Sequence, residues 1–311
     1  MSDAFVPESP TTPAPAMEWD AWGVAEFRRH LSPQVTALLQ QALGVSAEQS
    51  PPPEESDAIV RESALGAPLV HALEDLLGVD NVRTDGPTRL RHAGGKSTPD
   101  LLRRKSTGEQ DAPDAVLLPG THDEVLALLR FCAAEGIAVV PFGGGTSVVG
   151  GVDPVRGRFG SVVALDLRRL DALVDLDAVS GVATPPGGVT GPQAEQLLGE
   201  HGFSLGHFPQ SFQFATIGGF AATRRPARPP PATDASTTWV EWLRVATPSG
   251  TLDLGRGPAS AAGPDLRELF VGSEGTLGII TEVGLRACTR SRNAPPTRRG
   301  RSPTSRPVPT R

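Results

Sequence analysis

Regular hydrophobic patterning is sparse before residue 113 and becomes dense beyond it. In the first part, apolar positions at helical spacing predict helices over residues 32–43 and 68–77, the former with a serine cap and a proline at its first position. Residues 1–16 are rich in proline, serine and threonine without an apolar run, which predicts a disordered tail rather than a signal peptide. Residues 90–98 form a polar loop without an evident motif. We therefore assign residues 17–112 to an N-terminal helical region.

Beyond that point, short apolar runs alternate with amphipathic stretches, which predicts a fold with both strands and helices. One helix begins after Thr121, with Glu124 completing a capping box, and ends at Gly136. A hairpin is predicted where Pro248-Ser249-Gly250 separates two strand patterns. The predicted strands cover residues 115–118, 137–141, 161–167, 172–176, 181–184, 239–246, 251–254 and 278–285, and two further helices cover 191–201 and 264–270.

A glycine-rich stretch, Pro-Phe-Gly-Gly-Gly-Thr-Ser-Val-Val-Gly-Gly over residues 141–151, follows the strand at 137–141. Three consecutive glycines allow a sharp turn and bring backbone N–H groups close to a ligand, and the hydroxyls of Thr146 and Ser147 add donors. The stretch contains no lysine and carries Val148 where a G-x-G-x-x-G motif has its third glycine. It therefore favours a phosphate held by main-chain dipoles, with a tight turn packed against a neighbouring strand as the alternative.

Two later stretches also carry glycines at loop positions. Residues 207–219 read His-Phe-Pro-Gln-Ser-Phe-Gln-Phe-Ala-Thr-Ile-Gly-Gly, and residues 272–281 read Gly-Ser-Glu-Gly-Thr-Leu-Gly-Ile-Ile-Thr. Their glycines permit close backbone approach to a flat ring. Taken singly, each stretch is equally consistent with an ordinary loop or with a turn that enters a strand. His207 alone is more typical of a structural histidine than of a catalyst.

Composition narrows the class of protein. The 311 residues suffice for two domains, and the net charge of −6 argues against a general nucleic-acid binder. Cys132 and Cys288 are too few for a disulfide framework, so we expect a reducing compartment and a cytoplasmic protein. No apolar run is long enough to span a bilayer. We expect no metal site, because the following histidines do not fall at ligand spacings: His92, His122, His201 and His207.

Taken in order, the three glycine-bearing stretches resemble the FAD-binding (PCMH-type) domain of vanillyl-alcohol-oxidase-type flavoproteins. They look most like alkyldihydroxyacetonephosphate synthase and its bacterial relatives, as do residues 19–23 and 113–119. The resemblance covers roughly residues 17–286. It implies an α+β fold in which an FAD-binding domain over residues 113–286, made of two α/β subdomains, follows a short helical region.

The resemblance also implies cofactor-binding residues. The FAD pyrophosphate would be wrapped by Pro141, Phe142, Gly143, Gly144, Gly145, Thr146 and Ser147. The flavin side would be contacted by Pro209, Gln210, Ser211 and Ala215, with further cofactor contacts from Thr216, Gly218, Gly219, Thr223 and Arg224. The adenosine or isoalloxazine edge would be held by Glu274, Gly275, Thr276, Gly278, Ile279 and Ile280. The family usually has an acidic residue at position 210, and we expect a side chain at position 144 to block the pyrophosphate.

Two reactions follow from the resemblance. The synthase branch exchanges an acyl group for a fatty alcohol on acyl-dihydroxyacetone phosphate, and a neighbouring branch oxidises 2-hydroxy acids such as lactate or glycolate. Both imply non-covalent FAD and a small-molecule substrate, and intact relatives allow a homodimer. Their catalytic residues lie in a C-terminal substrate domain, which we expect this chain to lack. No catalytic residue is therefore assigned, and we expect weak FAD retention and little specific catalysis. The alternative is a non-catalytic nucleotide-binding remnant or the product of a pseudogene.

Two segments depart from the family pattern. Residues 226–239 and 287–311 are dominated by proline, arginine, serine and threonine, and the whole chain has no tyrosine. Both can be back-translated so that a neighbouring frame spells family-like text. We therefore interpret residues 226–239 as an aberrant segment that returns to frame near Val240, and residues 287–311 as a disordered, out-of-frame tail. A natural proline-rich loop and a basic tail are the alternative.

Overall fold

A computed structural model describes residues 9–11, 13, 16–29, 31–44, 55–105, 108–224, 239–255 and 263–289. The α-helices of these ranges are α1 (Pro33–Leu43), α2 (Ala67–Leu77), α3 (Gly86–Arg91), α4 (Thr98–Lys105), α5 (His122–Glu135), α6 (Gly191–Glu200), α7 (Ile217–Ala222) and α8 (Arg267–Phe270). The strands are β1 (Ile59–Val60), β2 (Val82–Arg83), β3 (Glu109–Gln110), β4 (Ala115–Leu117), β5 (Ile137–Phe142), β6 (Ser161–Asp166), β7 (Asp175–Asp177), β8 (Val182–Thr184), β9 (Phe203–Ser204), β10 (Val240–Thr247), β11 (Gly250–Leu254), β12 (Ile279–Arg286) and β13 (Cys288–Thr289). The predicted α+β fold is confirmed.

The first subdomain is a four-stranded sheet in the order β2-β4-β6-β5. Strands β4, β6 and β5 run parallel, while the edge strand β2 is antiparallel and comes from the N-terminal region. Helix α5 packs on this sheet through Val125, Leu128, Leu129 and Cys132. Its predicted ends are confirmed, because the Thr121 hydroxyl accepts from the Glu124 N–H and Gly136 adopts a left-handed conformation.

The second subdomain is an antiparallel five-stranded sheet in the order β11-β10-β12-β8-β7. The predicted hairpin is confirmed, because β10 and β11 pair in register around the turn between Thr247 and Gly250. Helices α6 and α7 pack on this sheet through a core that includes Leu197, Leu198 and Phe220. The carboxyl end of β5 and the start of β12 face the space between the two sheets, and this is where the site lies.

The two subdomains share a packed interface. Ala246 of β10 and Ile279 of β12 belong to the same apolar cluster as the buried face of α5. Gly188 has no room for a side chain, since a Cβ there would lie 1.8 Å from the carbonyl oxygen of Leu167. Close backbone contact of this kind fixes the two sheets relative to each other.

Two local predictions need correction. Residues 217–222 form α7, a helix that glycine content did not suggest, because Thr216 caps it by accepting from the Gly219 N–H. The tail predicted to be disordered from residue 287 is ordered at Cys288–Thr289, which pairs antiparallel with Phe203–Ser204. The rest of that tail lies outside the described residues.

The aberrant segment also lies outside the described residues, except for its last member. Trp239 is partly buried against the core of the second subdomain, with its ring 5.3 Å from His207 and 6.3 Å from Phe220. The out-of-frame interpretation stays a prediction, which resequencing of the gene tests.

Candidate functional site

The three glycine-bearing stretches converge on one cleft between the two sheets, with a volume of about 270 Å³. Most residues predicted to bind the cofactor line it: residues 141–147, Ser211, Ala215, Thr216, Gly218, Gly219, Thr223, Glu274, Gly275, Gly278, Ile279 and Ile280. Leu167, which was not predicted as a site residue, also lines the cleft. Leu167 follows β6, and the carboxyl end of a parallel strand was the signal that could have found it.

The glycines of the loop at residues 143–145 are required by packing within the chain. A Cβ on Gly144 would lie 1.9 Å from the carbonyl oxygen of Phe214, and a Cβ on Gly143 would lie 2.4 Å from the hydroxyl of Thr216. The expectation that a side chain at Gly144 would block the pyrophosphate is therefore corrected. The first obstacle is the backbone of residues 214–215, so a substitution would push the loop away from the second subdomain.

Several residues that line the cleft carry hydrogen-bond donors without a partner in the described part of the chain. The N–H groups of residues 144–147 donate no hydrogen bond to the described part of the chain, and the buried hydroxyl of Ser211 has no partner there. Among the described residues that line the cleft, only Glu274 has an ionisable side chain. A neutral, donor-rich loop beside apolar walls suits a pyrophosphate joined to flat rings, so these residues fit the FAD that the resemblance implies.

Four predicted residues lie outside the cleft: Pro209, Gln210, Arg224 and Thr276. Arg224 has a left-handed backbone with φ of 46°, and its guanidinium binds Glu268 and the carbonyl oxygen of Val271. The Thr276 hydroxyl donates to the carbonyl oxygen of Ser273 at 2.7 Å, and Gln210 is exposed. The structure therefore does not bring these four to the site, and their roles stay predictions.

A second cavity of about 290 Å³ lies on the other side of the glycine loop. His92 packs on the ring of Phe142 with centroids 4.3 Å apart, and its Nε2 lies 3.1 Å from Asp166 Oδ2. Arg168 donates to the same carboxylate through Nε and Nη2. Burial raises the pKa of Asp166, but hydrogen bonds from His92 and Arg168 outweigh it and hold the pKa well below its usual range. Through His92, this cluster packs against Phe142 at the start of the glycine loop, on the side of the second cavity.

The described residues lack two other kinds of feature. They contain no group of three or more His, Cys, Asp or Glu side chains that could hold a metal ion. Within the same residues, no helix combines the length and the apolarity needed to cross a bilayer.

Comparisons with known proteins agree with this geometry. The FAD binding domain family matches residues 113–254. Alkyldihydroxyacetonephosphate synthase of Dictyostelium discoideum is 31% identical over 294 residues, which cover 86% of this chain and 48% of the synthase. D-2-hydroxyglutarate dehydrogenase of Xanthomonas citri pv. viticola is 32% identical over 224 residues, which cover 70% of this chain and 44% of the dehydrogenase.

A solved structure of alkyldihydroxyacetonephosphate synthase has the same fold, with a TM-score of 0.76 and 28% identity over 88% of this chain and 54% of that chain. The chain spans about half the length of these relatives or less. The matched family of FAD binding domains shows that the cofactor is FAD. Residues 113–254 match the FAD binding domain of PCMH-type flavoproteins, and the chain is similar in sequence and fold to alkyldihydroxyacetonephosphate synthase.

Proposed function

We propose that this chain holds FAD without a covalent bond in the cleft between its two sheets, as the flavin-binding part of an alkyldihydroxyacetonephosphate-synthase-like enzyme. One observation carries the proposal. Three stretches far apart in sequence, at residues 141–147, 211–223 and 274–280, line a single cleft with unused main-chain donors. Such a cleft between two subdomains is a common place for a dinucleotide.

In this proposal, each side of the cleft binds a different part of FAD. The N–H groups of residues 144–147 donate to the pyrophosphate, and main-chain atoms at the start of β12 hold the edge of a ring system. The buried Ser211 hydroxyl donates to a polar atom of the cofactor, which satisfies a group that otherwise lacks a partner. The bound FAD supplies the electron chemistry, while these residues orient it and exclude water from one side.

The proposed substrate is an acyl-dihydroxyacetone phosphate with a fatty alcohol as the second reactant. The similarity to the synthase supports it, because that alignment covers most of this chain. Oxidation of a 2-hydroxy acid is the second candidate, supported by the similarity to D-2-hydroxyglutarate dehydrogenase. We also propose a cytoplasmic location, which the two free cysteines, Cys132 and Cys288, support.

The test is reconstitution of the full chain with FAD. We expect a yellow protein with about one FAD per chain, released by denaturation because no covalent bond forms. Anaerobic mixing with D-lactate, glycolate or D-2-hydroxyglutarate then separates the candidates, since bleaching of the flavin supports the dehydrogenase. Conversion of acyl-dihydroxyacetone phosphate and hexadecanol without net bleaching supports the synthase. Because we expect the substrate domain to be missing, we expect little turnover, and a yellow protein that converts none of these substrates supports a flavin-binding part without activity of its own. A colourless protein contradicts the proposal.

A further inference from the structure

Residues 16–23 cross the second cavity and are called here the N-terminal strap. The strap is held by two buried cations, Lys96 and Arg104, which are 6% and 3% exposed. The Lys96 ammonium donates to the carbonyl oxygens of Glu18 and Trp19, and Arg104 Nη1 donates to the same Trp19 oxygen at 2.6 Å. Trp19 itself is 8% exposed. The strap is thus bound through its backbone, and Lys96 supplies most of the donors.

The backbone of Lys96 faces both the strap and the glycine loop. Its N–H donates to the carbonyl oxygen of Ser147 at 2.7 Å, and its carbonyl oxygen accepts from the indole N–H of Trp22 at 3.1 Å. The contact with the loop is close, because a Cβ on Gly95 would lie 2.1 Å from the Ser147 oxygen. Lys96 therefore contacts the strap and the end of the cofactor loop at the same time.

We propose that Lys96 is a positioning residue that holds the N-terminal strap behind the glycine loop, and that the docked strap keeps the loop in its FAD-binding conformation. The part that concerns FAD rests on the proposed function. The part that concerns the strap stands on the hydrogen bonds of the chain alone.

Docking of the strap should depend on pH. The pKa of Lys96 is lowered from 10.5 to about 7, first by burial and then by Arg104, while Asp20 and Glu18 oppose the shift. Arg28 partly neutralises both carboxylates. Charged or titratable groups in the adjoining cavity are Arg83, Arg91, His92, Asp166 and Arg168.

Proton linkage determines whether a rise in pH favours or disfavours docking of the strap. The strap covers the Lys96 amine, so docking lowers its pKa and releases a proton. The part of the shift that comes from burial under the strap makes docking more favourable as the pH rises above about 7, and docking does not vary with the titration of Lys96 well below that pH. A neutral amine keeps two N–H donors, enough for both carbonyl oxygens of the strap.

The chain offers a sharp test, because Lys96 and Lys105 are its only lysines and it has four tryptophans. ¹⁹F NMR of protein labelled with 5-fluorotryptophan follows Trp19 and Trp22 from pH 6 to 10, with signals assigned by Trp→Phe variants. In the wild type we expect the docked signals to grow between pH 7 and 10. Lys96→Met and Lys96→Arg should remove the pH dependence of the docked signals, since neither side chain titrates between pH 6 and 10. Lys105→Met changes an exposed lysine and should follow the wild type.

FAD titration by flavin fluorescence supplies the second readout. We expect Lys96→Met to weaken FAD binding about tenfold, as loss of one buried hydrogen bond would. Trp19 and Trp22 signals that ignore pH in the wild type would overturn the strap proposal. Unchanged FAD affinity in Lys96→Met would overturn its link to the loop. A wild type that binds no FAD but shows the pH-dependent strap would instead contradict the proposed function.

Discussion

Gly144 is a residue at which the two subdomains approach closely beside the cleft. A Cβ there would lie 1.9 Å from the Phe214 oxygen and 2.5 Å from its carbonyl carbon, and neither backbone atom can rotate away. We expect Gly144→Ala to lower the free energy of unfolding by about 1–3 kcal/mol. FAD affinity should fall as well, because the loop must move off the second subdomain. Thermal unfolding and flavin fluorescence measure the two effects.

Gly160→Ala is the matched control. A Cβ at Gly160 would meet no atom within 4 Å, and its φ lies outside the left-handed range. We expect unfolding free energy within about 0.5 kcal/mol of the wild type and unchanged FAD binding. If Gly144→Ala behaves like Gly160→Ala on both measures, the close packing of the loop on residues 214–215 is wrong.

Helix α5 is the element that joins the subdomains through polar as well as apolar contacts. His122, its first residue, places Nδ1 2.7 Å from the hydroxyl of Thr281 in β12 and Nε2 2.7 Å from the hydroxyl of Thr251 in β11. Burial lowers the pKa of His122, and Arg244 lowers it further. The folded pKa lies below the unfolded value of about 6.5, so this contribution to stability is present above pH 6.5 and is lost as the pH falls through the folded pKa.

We therefore expect His122→Gln to destabilise the protein by about 1 kcal/mol at pH 7.5, as loss of a hydrogen bond does, and by less at pH 5. Denaturant unfolding of both proteins at the two pH values measures the difference. His71→Gln is the control, because His71 is an exposed histidine on α2 whose Nδ1 lies 3.0 Å from Glu74 Oε2 of the same helix. A destabilisation by His122→Gln that is the same at both pH values would contradict the assigned role.

Elements with a strong local signal were predictable from the sequence. Caps and apolar spacing defined α1 and α5, and alternation around a tight turn defined the β10–β11 hairpin. Helix α7 was missed because its glycines oppose helix formation and its cap at Thr216 acts together with tertiary packing. The role of Lys96 was also missed, since residues 90–98 carry no motif. Its partners at residues 18, 19 and 147 are distant in sequence and meet only in the fold.

At the scale of the whole molecule, the cleft lies on the interface that makes the two sheets one unit. Gly188 against Leu167 and α5 against Ala246 connect the subdomains without a ligand. FAD that contacts both walls should therefore stabilise both, by about 2.7 kcal/mol at one hundred times its Kd. We expect a rise in Tm of roughly 5–10 °C.

Hydrogen exchange should show added protection in β5–β6 and β10–β12 together when FAD binds. FMN, which lacks the adenosine half, is the control and should give a smaller shift. Protection confined to one sheet would contradict a cofactor bound between them.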